Sequence, residues 1–315
     1  MKEILRRLVA GELTEDDAIA ELRRIQLDEL GGKAKLDLGR YLRRGIPEVV
    51  LATGKSPEDA ARLAVRMAEQ QGQGLISRMT DAHRSAVATA AAGMQLIGYH
   101  SSARVLRADF APESVPGKVG ILTAGTSDMP AADEARMVVE ACGLEARLDA
   151  DLGVAGLHRF VGPLAAMLEW SADVIVVAAG MDGVLPGLVA GLVDVPVIGL
   201  PVSTGYGRGG AGEAALSTML QSCSTGLVVV NIDNGVGAGA AAALIASRAA
   251  QGRRRGRTTA TTARTKAATS RRPNAAAATT RDTSAPPGTA KTRARITTVT
   301  KTPARTHGKP LRRRP

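Results

Sequence analysis

The sequence predicts an α/β protein in which helices cover both faces of a parallel sheet. From residue 118 onward, short apolar strands rich in β-branched residues alternate with helices punctuated by glycine, as in doubly wound sheets. The predicted strands are 118–123, 144–149, 173–178, 195–200 and 226–232, and the predicted helices are 130–142, 162–171, 186–193, 212–222 and 237–248. We expect a flavodoxin-like strand order, in which ligands bind beyond the carboxyl ends of the first and third strands.

These elements form a predicted catalytic domain over residues 113–250. Residues 1–112 are predicted to be a smaller N-terminal α/β domain. Within it, Ser56 followed by proline and two acids predicts the start of a helix. Short strand candidates near 75–76 and 95–99 lie on either side of another helix.

The remaining segment, residues 251–315, is predicted to be a disordered basic tail. It holds 18 Lys and Arg residues against the single acid Asp282, so its net charge is +17. Since the whole chain has a net charge of +11, residues 1–250 together carry −6. A segment so poor in large apolar side chains cannot bury enough surface to order itself. It is either a solubilising extension or a nonspecific contact for nucleic acid.

Cysteine content and hydropathy indicate the redox environment of the protein and whether it contacts a membrane. Cys142 and Cys223 are too few for a disulfide framework, which favours a reduced, cytoplasmic environment. We find no signal peptide and no run of about 20 apolar residues that would span a bilayer, so we expect no membrane contact. The four histidines lie far apart and show no zinc spacing, so the metal ligands remain unassigned.

The loop after the first strand, Gly125-Thr126-Ser127-Asp128, predicts a nucleotide-binding corner. Gly125 permits a tight turn, and Ser127 offers a hydroxyl beside the N-terminus of the next helix, which favours phosphate. Asp128 either caps that helix or binds a ribose hydroxyl. The loop lacks the Gly-x-Gly-x-x-Gly spacing, which disfavours a standard dinucleotide dehydrogenase.

Two further loops lie on the same predicted rim of the sheet. Gly180-Met181-Asp182 follows the third strand and therefore faces the loop after the first strand. The His158-Arg159 pair comes after the second strand, where it either shuttles a proton and binds an anion or is an ordinary surface turn. The Gly-rich segment 206–210 looks able to cover the site.

The last strand ends in Asn231-Ile232-Asp233-Asn234-Gly235, whose polar side chains reach the ligand rim or simply form a turn. Cys223 follows a helix and precedes Gly226, which is typical of a helix C-terminus and, judged alone, of a buried structural cysteine. It also lies at the opposite end of the sheet from the rim. If Cys223 is catalytic, a neighbouring subunit must present it. We interpret Cys142 as a packing residue.

Together these segments resemble the AIR carboxylase (PurE-like) family, and most closely its LarB branch, which serves nickel-pincer nucleotide cofactor biosynthesis. The motifs that carry this resemblance are 125–128, 153–159, 179–186, 203–207, 222–223 and 229–235, with 35–40, 45–49 and 54–55 in the N-terminal region. The resemblance covers about residues 1–250 and leaves out the tail.

The resemblance implies a carboxylase/hydrolase that acts on nicotinic acid adenine dinucleotide. Such an enzyme adds CO₂ to the pyridinium ring and cleaves the phosphoanhydride, giving pyridinium-3,5-biscarboxylic acid mononucleotide and AMP. This is the first step toward the cofactor used in lactate racemase maturation. Mg²⁺ is expected for the phosphoanhydride step, and no tightly bound organic cofactor is expected.

The resemblance also implies roles for individual residues. Cys223 becomes the nucleophile of a cysteinyl-pyridine adduct, and Asp182, where the family usually has Glu, handles the proton. Since Asp is one methylene shorter, it must act through a water molecule or a shifted backbone. A PurE-like core implies a homo-octamer, and a shared active site requires at least a dimer.

Three alternatives remain open at this point. The first is an aminoimidazole-ribonucleotide carboxylase of purine biosynthesis, which needs no thiol and leaves the N-terminal region unexplained. The second is a nucleic-acid-binding protein that acts through the basic tail. The third is a nucleotide-binding fold without catalysis, since one fold hosts many functions.

Overall fold

The computed structural model describes residues 2–24, 28–30, 34–36 and 40–270. The chain divides into one unit that ends at residue 265 and a second unit that begins at residue 266. Of the second unit, the structure describes only residues 266–270, the end of the last helix. The predicted disorder of residues 271–315, and residues 37–39 of the N-terminal motif, lie outside the described residues.

The N-terminal region contains short helices, a two-stranded ribbon and a small mixed sheet. Its elements are α1 (Lys2–Val9), α2 (Glu15–Arg24), β1 (Asp28–Leu30), β2 (Ala34–Leu36), α3 (Arg40–Arg44), β3 (Val49–Leu51), α4 (Pro57–Gln71), β4 (Gln73–Ser77), α5 (Asp81–Ala90), β5 (Gln95–Gly98) and β6 (Ala103–Leu106). The small sheet has the order β3-β4-β6-β5, with β3 parallel to β4 and the other pairs antiparallel. As predicted, Ser56 caps α4 by accepting the Asp59 N–H at 3.1 Å.

The second half of the main unit is the predicted alternation of strands and helices. Its elements are β7 (Lys118–Thr123), α6 (Met129–Ala141), β8 (Glu145–Asp149), α7 (His158–Glu169), β9 (Val174–Ala179), α8 (Val184–Ala190), β10 (Val197–Pro201), α9 (Glu213–Leu220), β11 (Leu227–Val229) and α10 (Gly235–Ser270). The strands are ordered β11-β10-β9-β7-β8, and all neighbours are parallel. Counted from β7, this is the flavodoxin-like order 2-1-3-4-5, which confirms the predicted fold class.

Two elements differ most in length from the prediction. The last strand, β11, spans three residues instead of the predicted 226–232, because it pairs only with β10 at the edge of the sheet. The last helix continues from the predicted end at 248 to Ser270 and so enters the segment predicted to be without regular structure. Ala and Arg, which are frequent there, have high intrinsic helix propensity. Among the described residues, no helix is long and apolar enough to cross a membrane.

A polar network joins the small sheet to α6. The Tyr99 hydroxyl donates to Glu140 Oε2 at 2.6 Å, and Arg104 Nη2 donates to Gln73 Oε1 at 3.1 Å. Gln73 Nε2 in turn donates to the carbonyl of Ala141 at 2.9 Å. Because Gln73 and Arg104 are buried, these bonds fix the N-terminal region against the parallel-sheet domain.

The contact between α10 and α6 depends on a close backbone approach at Gly239. A Cβ placed on Gly239 lies 2.5 Å from the Ala135 carbonyl oxygen. We therefore expect Gly239→Ala to lower the free energy of unfolding by about 1–3 kcal/mol, as overpacking does. Urea unfolding measures this change.

Gly252 on the same helix provides the matched control, because a Cβ there meets no atom within 4 Å. Gly252→Ala should raise the free energy of unfolding by up to about 1 kcal/mol through helix propensity. Equal stability of the Gly239→Ala variant and the wild type would contradict close packing of α10 on α6.

Candidate active site

A cavity of about 350 Å³ lies beyond the carboxyl ends of β8, β7, β9 and β10. The loops after β7 and β9 are central to it, and these are the first and third strands that mark the predicted switch point. Its lining residues are Ala124, Gly125, Ser127, Asp128, Gly153, Val154, Ala155, Ala179, Gly180, Met181, Asp182, Val184, Leu185, Thr204 and Tyr206. Six residues predicted from sequence are among them: Gly125, Ser127, Asp128, Gly180, Met181 and Asp182.

Asp128 ties three loops of the cavity together. Its carboxylate is only 3% exposed and accepts the Gly125 N–H and the Thr204 hydroxyl, each at 2.8 Å, together with the Gly180 N–H. Burial raises the pKa of Asp128, and the charge of Asp233 adds to this effect. Asp128 makes no side-chain cap on α6. Its bonds therefore indicate a structural tie, which neither sequence interpretation anticipated.

Ser127 and Thr126 form a short 3₁₀ turn before α6 with Asp128. Both side chains are exposed, but only Ser127 lines the cavity. The Ser127 hydroxyl is thus available to a ligand, whereas Thr126 lies off the cavity wall, and its predicted contact with the ligand stays a prediction.

The loop after β9 is conformationally strained. Gly180 has no room for a side chain, since a Cβ there would clash with the Thr204 hydroxyl. Met181 has a φ of 45° and Gly183 one of 63°, and a non-glycine residue in this region is strained. Asp182, between them, is exposed and accepts the Val184 N–H at 3.4 Å. The loop therefore presents an accessible carboxylate to the cavity.

The His158-Arg159 pair lies at the beginning of α7, off the cavity wall. Both side chains are exposed. Arg159 Nη1 donates to Asp151 Oδ2 at 2.7 Å, so its charge is already partly neutralised. The surface-turn interpretation accounts for the pair within one protomer, and its proposed proton and anion contacts remain predictions.

The three polar residues after β11 also lie off the cavity wall. Asn231 accepts the Ile232 N–H, Asp233 accepts the Ser203 N–H, and Asn234 accepts the Gly237 N–H at the start of α10, each at 2.9 Å. These bonds match the turn interpretation of the segment. Contact with a ligand is not needed to explain them.

A buried acid that no sequence pattern predicted lies next to this segment. Glu134 on α6 accepts the N–H groups of Gly235 and Val236, and Arg78 Nε lies 3.7 Å from Glu134 Oε1. Arg78 also donates to the Asp233 carbonyl at 2.6 Å. Burial raises the pKa of Glu134 from 4.5 to about 7. Arg78 and Glu134 thus link the N-terminal region to the start of α10. The positive φ of Arg78 (56°) cannot be read from sequence.

This raised pKa predicts a pH-dependent stability. Since the folded protein holds the Glu134 proton more tightly than the unfolded chain, its contribution is fully present below about pH 4.5 and is lost as pH rises through about 7. A shift of this size corresponds to about 3 kcal/mol. Glu134→Gln should flatten the fall in the free energy of unfolding between about pH 5 and about pH 8. Urea unfolding followed by Trp170 fluorescence measures it.

Glu58, exposed on α4, provides a control substitution, Glu58→Gln, that removes a carboxylate from the surface. An unchanged pH profile in the Glu134→Gln variant would contradict the assignment.

Cys223 lies in the loop between α9 and β11, at the amino end of the parallel sheet and opposite the cavity. Cys223 is exposed, so the interpretation of it as a buried structural cysteine is wrong. Ser224 Oγ donates to the Gly187 carbonyl at 2.7 Å, which fixes the loop to α8. We predicted from the sequence that Cys223 and Asp182 lie apart within one protomer, and the structure has them at opposite ends of the sheet.

Cys142 is buried, and burial raises its pKa to about 12. Its thiol donates to the Gly45 carbonyl at 3.6 Å. It is therefore a packing residue.

No group of three or more His, Cys, Asp or Glu side chains in the described part of the chain is placed to hold a metal ion. Asp128 already accepts three hydrogen bonds, and Asp182 is the one other acid among the lining residues. Within the part of the chain that the structure describes, these two acids do not form a resident Mg²⁺ site. Mg²⁺ commonly binds through one or two carboxylates together with substrate phosphates.

Two domain models match the sequence. That of AIR carboxylase matches residues 118–267, and that of the LarB/PurE-like N-terminal domain matches residues 27–109.

Individual proteins are also similar to the chain. The uncharacterized protein MJ0165 of Methanocaldococcus jannaschii is 38% identical over 251 residues, which are 78% of this chain and 96% of that protein. An N5-carboxyaminoimidazole ribonucleotide mutase of Thermotoga maritima is 30% identical over 132 residues, 41% of this chain and 74% of the mutase. A solved structure of a PurE variant from Treponema denticola has 24% identity and a TM-score of 0.34, covering 42% of this chain and 79% of that chain.

Proposed function

We propose that this chain, which belongs to the LarB/PurE-like family of AIR carboxylase-related proteins, is a pyridinium-3,5-biscarboxylic acid mononucleotide synthase. Its substrates are nicotinic acid adenine dinucleotide, CO₂ and water. The reaction adds a carboxylate to the pyridinium ring and hydrolyses the phosphoanhydride, which releases AMP. It is the first step of nickel-pincer cofactor synthesis.

The observation that carries this proposal is the combination of carboxylates and apolar residues on the cavity wall. Asp128 and Asp182 are the charged residues that line it, and most of the remaining wall is apolar or glycine. A pyridinium ring is planar and carries a positive charge, so it matches apolar walls with carboxylates nearby. Ser127, exposed in the turn just before α6, offers a hydrogen bond to the attached phosphate.

A pyridinium ring is electron-poor and cannot attack CO₂ directly. In the proposed route, the Cys223 thiolate bonds to the ring carbon para to nitrogen, and the ring electrons move to the nitrogen to give a dihydropyridine. The adjacent carbon then bonds to CO₂ and loses its proton to Asp182, directly or through water. Expulsion of the thiolate restores the aromatic ring. Covalent catalysis thereby replaces one hard step with easier ones.

This route requires two subunits at each site. Cys223 lies at the amino end of the sheet and Asp182 at the carboxyl end, so the thiol must come from a neighbouring protomer. We therefore propose a homo-oligomer, at least a dimer and by resemblance an octamer. We further propose that His158 and Arg159, which are exposed at the beginning of α7, contact phosphate groups at such a boundary.

Mass spectrometry of small molecules tests the proposal directly. The purified protein is incubated with nicotinic acid adenine dinucleotide, bicarbonate and Mg²⁺, the last supplied to neutralise substrate phosphates. Formation of AMP together with the biscarboxylated pyridinium mononucleotide supports the proposed reaction. A well-folded oligomer that forms neither product contradicts it.

The matched mutase favours a second candidate, an enzyme acting on aminoimidazole ribonucleotides in purine synthesis. That activity requires no thiol and leaves the N-terminal region without a role. Incubation with aminoimidazole ribonucleotide and bicarbonate separates the two, because turnover that survives loss of Cys223 would favour this candidate.

The charge of residues 251–315 favours a further partner, nucleic acid. A binding mode that depends on phosphate contacts weakens steeply with salt. Binding that vanishes on removal of residues 271–315 while turnover continues would assign the tail an accessory role.

A further inference from the structure

We propose that the Gly-rich loop of residues 205–210 is a nucleotide-recognition element in which Tyr206 stacks on the planar ring of the ligand and Arg208 pairs with its phosphate. This inference rests on the proposed function and adds two residues that recognise the two halves of a ring-and-phosphate ligand. Three features of the loop carry it: the exposure of Tyr206, the anchoring of the loop's base and the distribution of charge around the cavity.

Tyr206 is unusually exposed for a residue on a cavity wall. The chain has only six aromatic residues, and Tyr206, at 79% exposure, is the most exposed of them. It nevertheless lines the cavity, at the end opposite the loop after β8. Covering an exposed aromatic ring removes apolar surface from water and therefore favours binding. The ring is thus available to a ligand that enters the cavity.

The base of the loop is held against the segment that carries Asp182. A Cβ placed on Gly205 lies 3.1 Å from the Met181 amide nitrogen, so the two backbones are in direct contact. The Ala211 N–H donates to the Gly205 carbonyl at 3.2 Å and closes the neck of the loop. The position of Tyr206 is therefore set relative to the proposed catalytic loop.

The tip of the loop, by contrast, is open. Gly207 has a φ of 77° and no atom within 4 Å of a Cβ placed on it, so its backbone conformation strongly favours glycine. Tyr206, Gly207 and Arg208 are all exposed. A fixed neck and an uncovered tip allow the two long side chains to turn toward a ligand without moving the cavity wall.

The charges around the cavity indicate different partners for Tyr206 and Arg208. The lining residues include carboxylates but no Lys, Arg or His, so the charges of the wall favour the cationic ring, and a positive charge that pairs with the phosphate must come from outside the wall. Of the nearby guanidinium groups, that of Arg159 is paired with Asp151, whereas no hydrogen bond or ion pair of Arg208 is found within the described ranges. A pyridinium ring on the face of Tyr206 gains a cation–π interaction, and Arg208 presents a planar fork that matches phosphate oxygens.

Calorimetric binding to the full-length protein, without bicarbonate, tests both assignments. The probes are nicotinic acid mononucleotide, which has ring and phosphate, and ribose 5-phosphate, which lacks the ring. Tyr206→Leu should weaken binding of the mononucleotide about tenfold and leave ribose 5-phosphate unchanged, while Tyr206→Phe should stay within about twofold. Arg208→Gln should weaken both probes by a similar factor.

The outcomes distinguish this inference from the proposed function. If the wild type binds the mononucleotide and converts the dinucleotide, but the Tyr206→Leu variant binds both probes as the wild type does, the recognition role is wrong and the proposed function stands. Equal weakening of both probes by Tyr206→Leu also contradicts ring stacking. If the wild type neither binds the mononucleotide nor turns over the dinucleotide, both proposals fail.

Discussion

Replacing Cys223 by alanine is expected to reduce carboxylation to below about 0.1% of the wild-type rate while leaving the oligomer intact. Without the thiolate, no ring carbon becomes nucleophilic, and CO₂ has no partner to react with. The side chain is exposed in the loop between α9 and β11, so its removal should cost little stability. Product formation by mass spectrometry and size-exclusion chromatography give the two readouts.

Cys142 is the matched control for this prediction. It is the other of the two cysteines in the chain. Because it is buried, its pKa is raised to about 12, so it supplies no thiolate near neutral pH. Cys142→Ala should keep the carboxylation rate within about threefold and lose about 1 kcal/mol of stability or more, as core truncations do. Substantial turnover by the Cys223→Ala variant would falsify the covalent route.

The parallel sheet was predictable because its signal is local. Each of its strands is a short apolar run bounded by glycine or polar residues, and buried parallel strands require such runs. The bounds of β7 match residue for residue, and those of β8 and β9 differ by one residue. The edge strand β11 is shorter than predicted, because an apolar run shows where a strand is permitted but not whether it has a partner on both sides.

The interior of the site was less predictable, because it depends on contacts between distant segments. The sequence identified Asp128 as a cap or a ribose ligand, but its oxygens bond to the loops of Thr204 and Gly180. Likewise, the pairing of Arg78 with Glu134 joins residues more than 50 positions apart. Periodicity and turn chemistry describe neighbours along the chain, so they cannot show which distant loops share a hydrogen bond.

Asp182→Asn is the second change expected to have a large effect. The substitution keeps the size of the side chain but removes the proton acceptor on the cavity wall, which should lower kcat about 10²–10⁴-fold. Asp182→Glu should retain activity, because it restores the residue that the family usually carries at this position. Similar rates in the wild type and the Asp182→Asn variant would remove Asp182 from the proton-transfer step.

These two variants together test the shared active site. Suppose that each site combines Cys223 from one protomer with Asp182 from its neighbour. A Cys223→Ala protomer still supplies Asp182, and an Asp182→Asn protomer still supplies Cys223. A site formed between these two protomers is therefore complete. Random assembly of equal amounts makes about one quarter of the sites complete, since each of the two protomers is of the required kind half the time. Co-expression with two affinity tags, followed by isolation of mixed oligomers, should therefore recover about a quarter of wild-type turnover from an octamer, and about half from a dimer because the isolation removes the inactive homodimers.

The control is the same pair of variants purified separately and mixed after assembly, which should stay inactive as long as subunits do not exchange. An active site contained within one protomer predicts no recovery in the mixed oligomers, because every protomer then carries one defect in its own site. In one protomer the thiol and the carboxylate lie at opposite ends of the sheet. Recovery of activity would thus show that the neighbouring subunit completes the site.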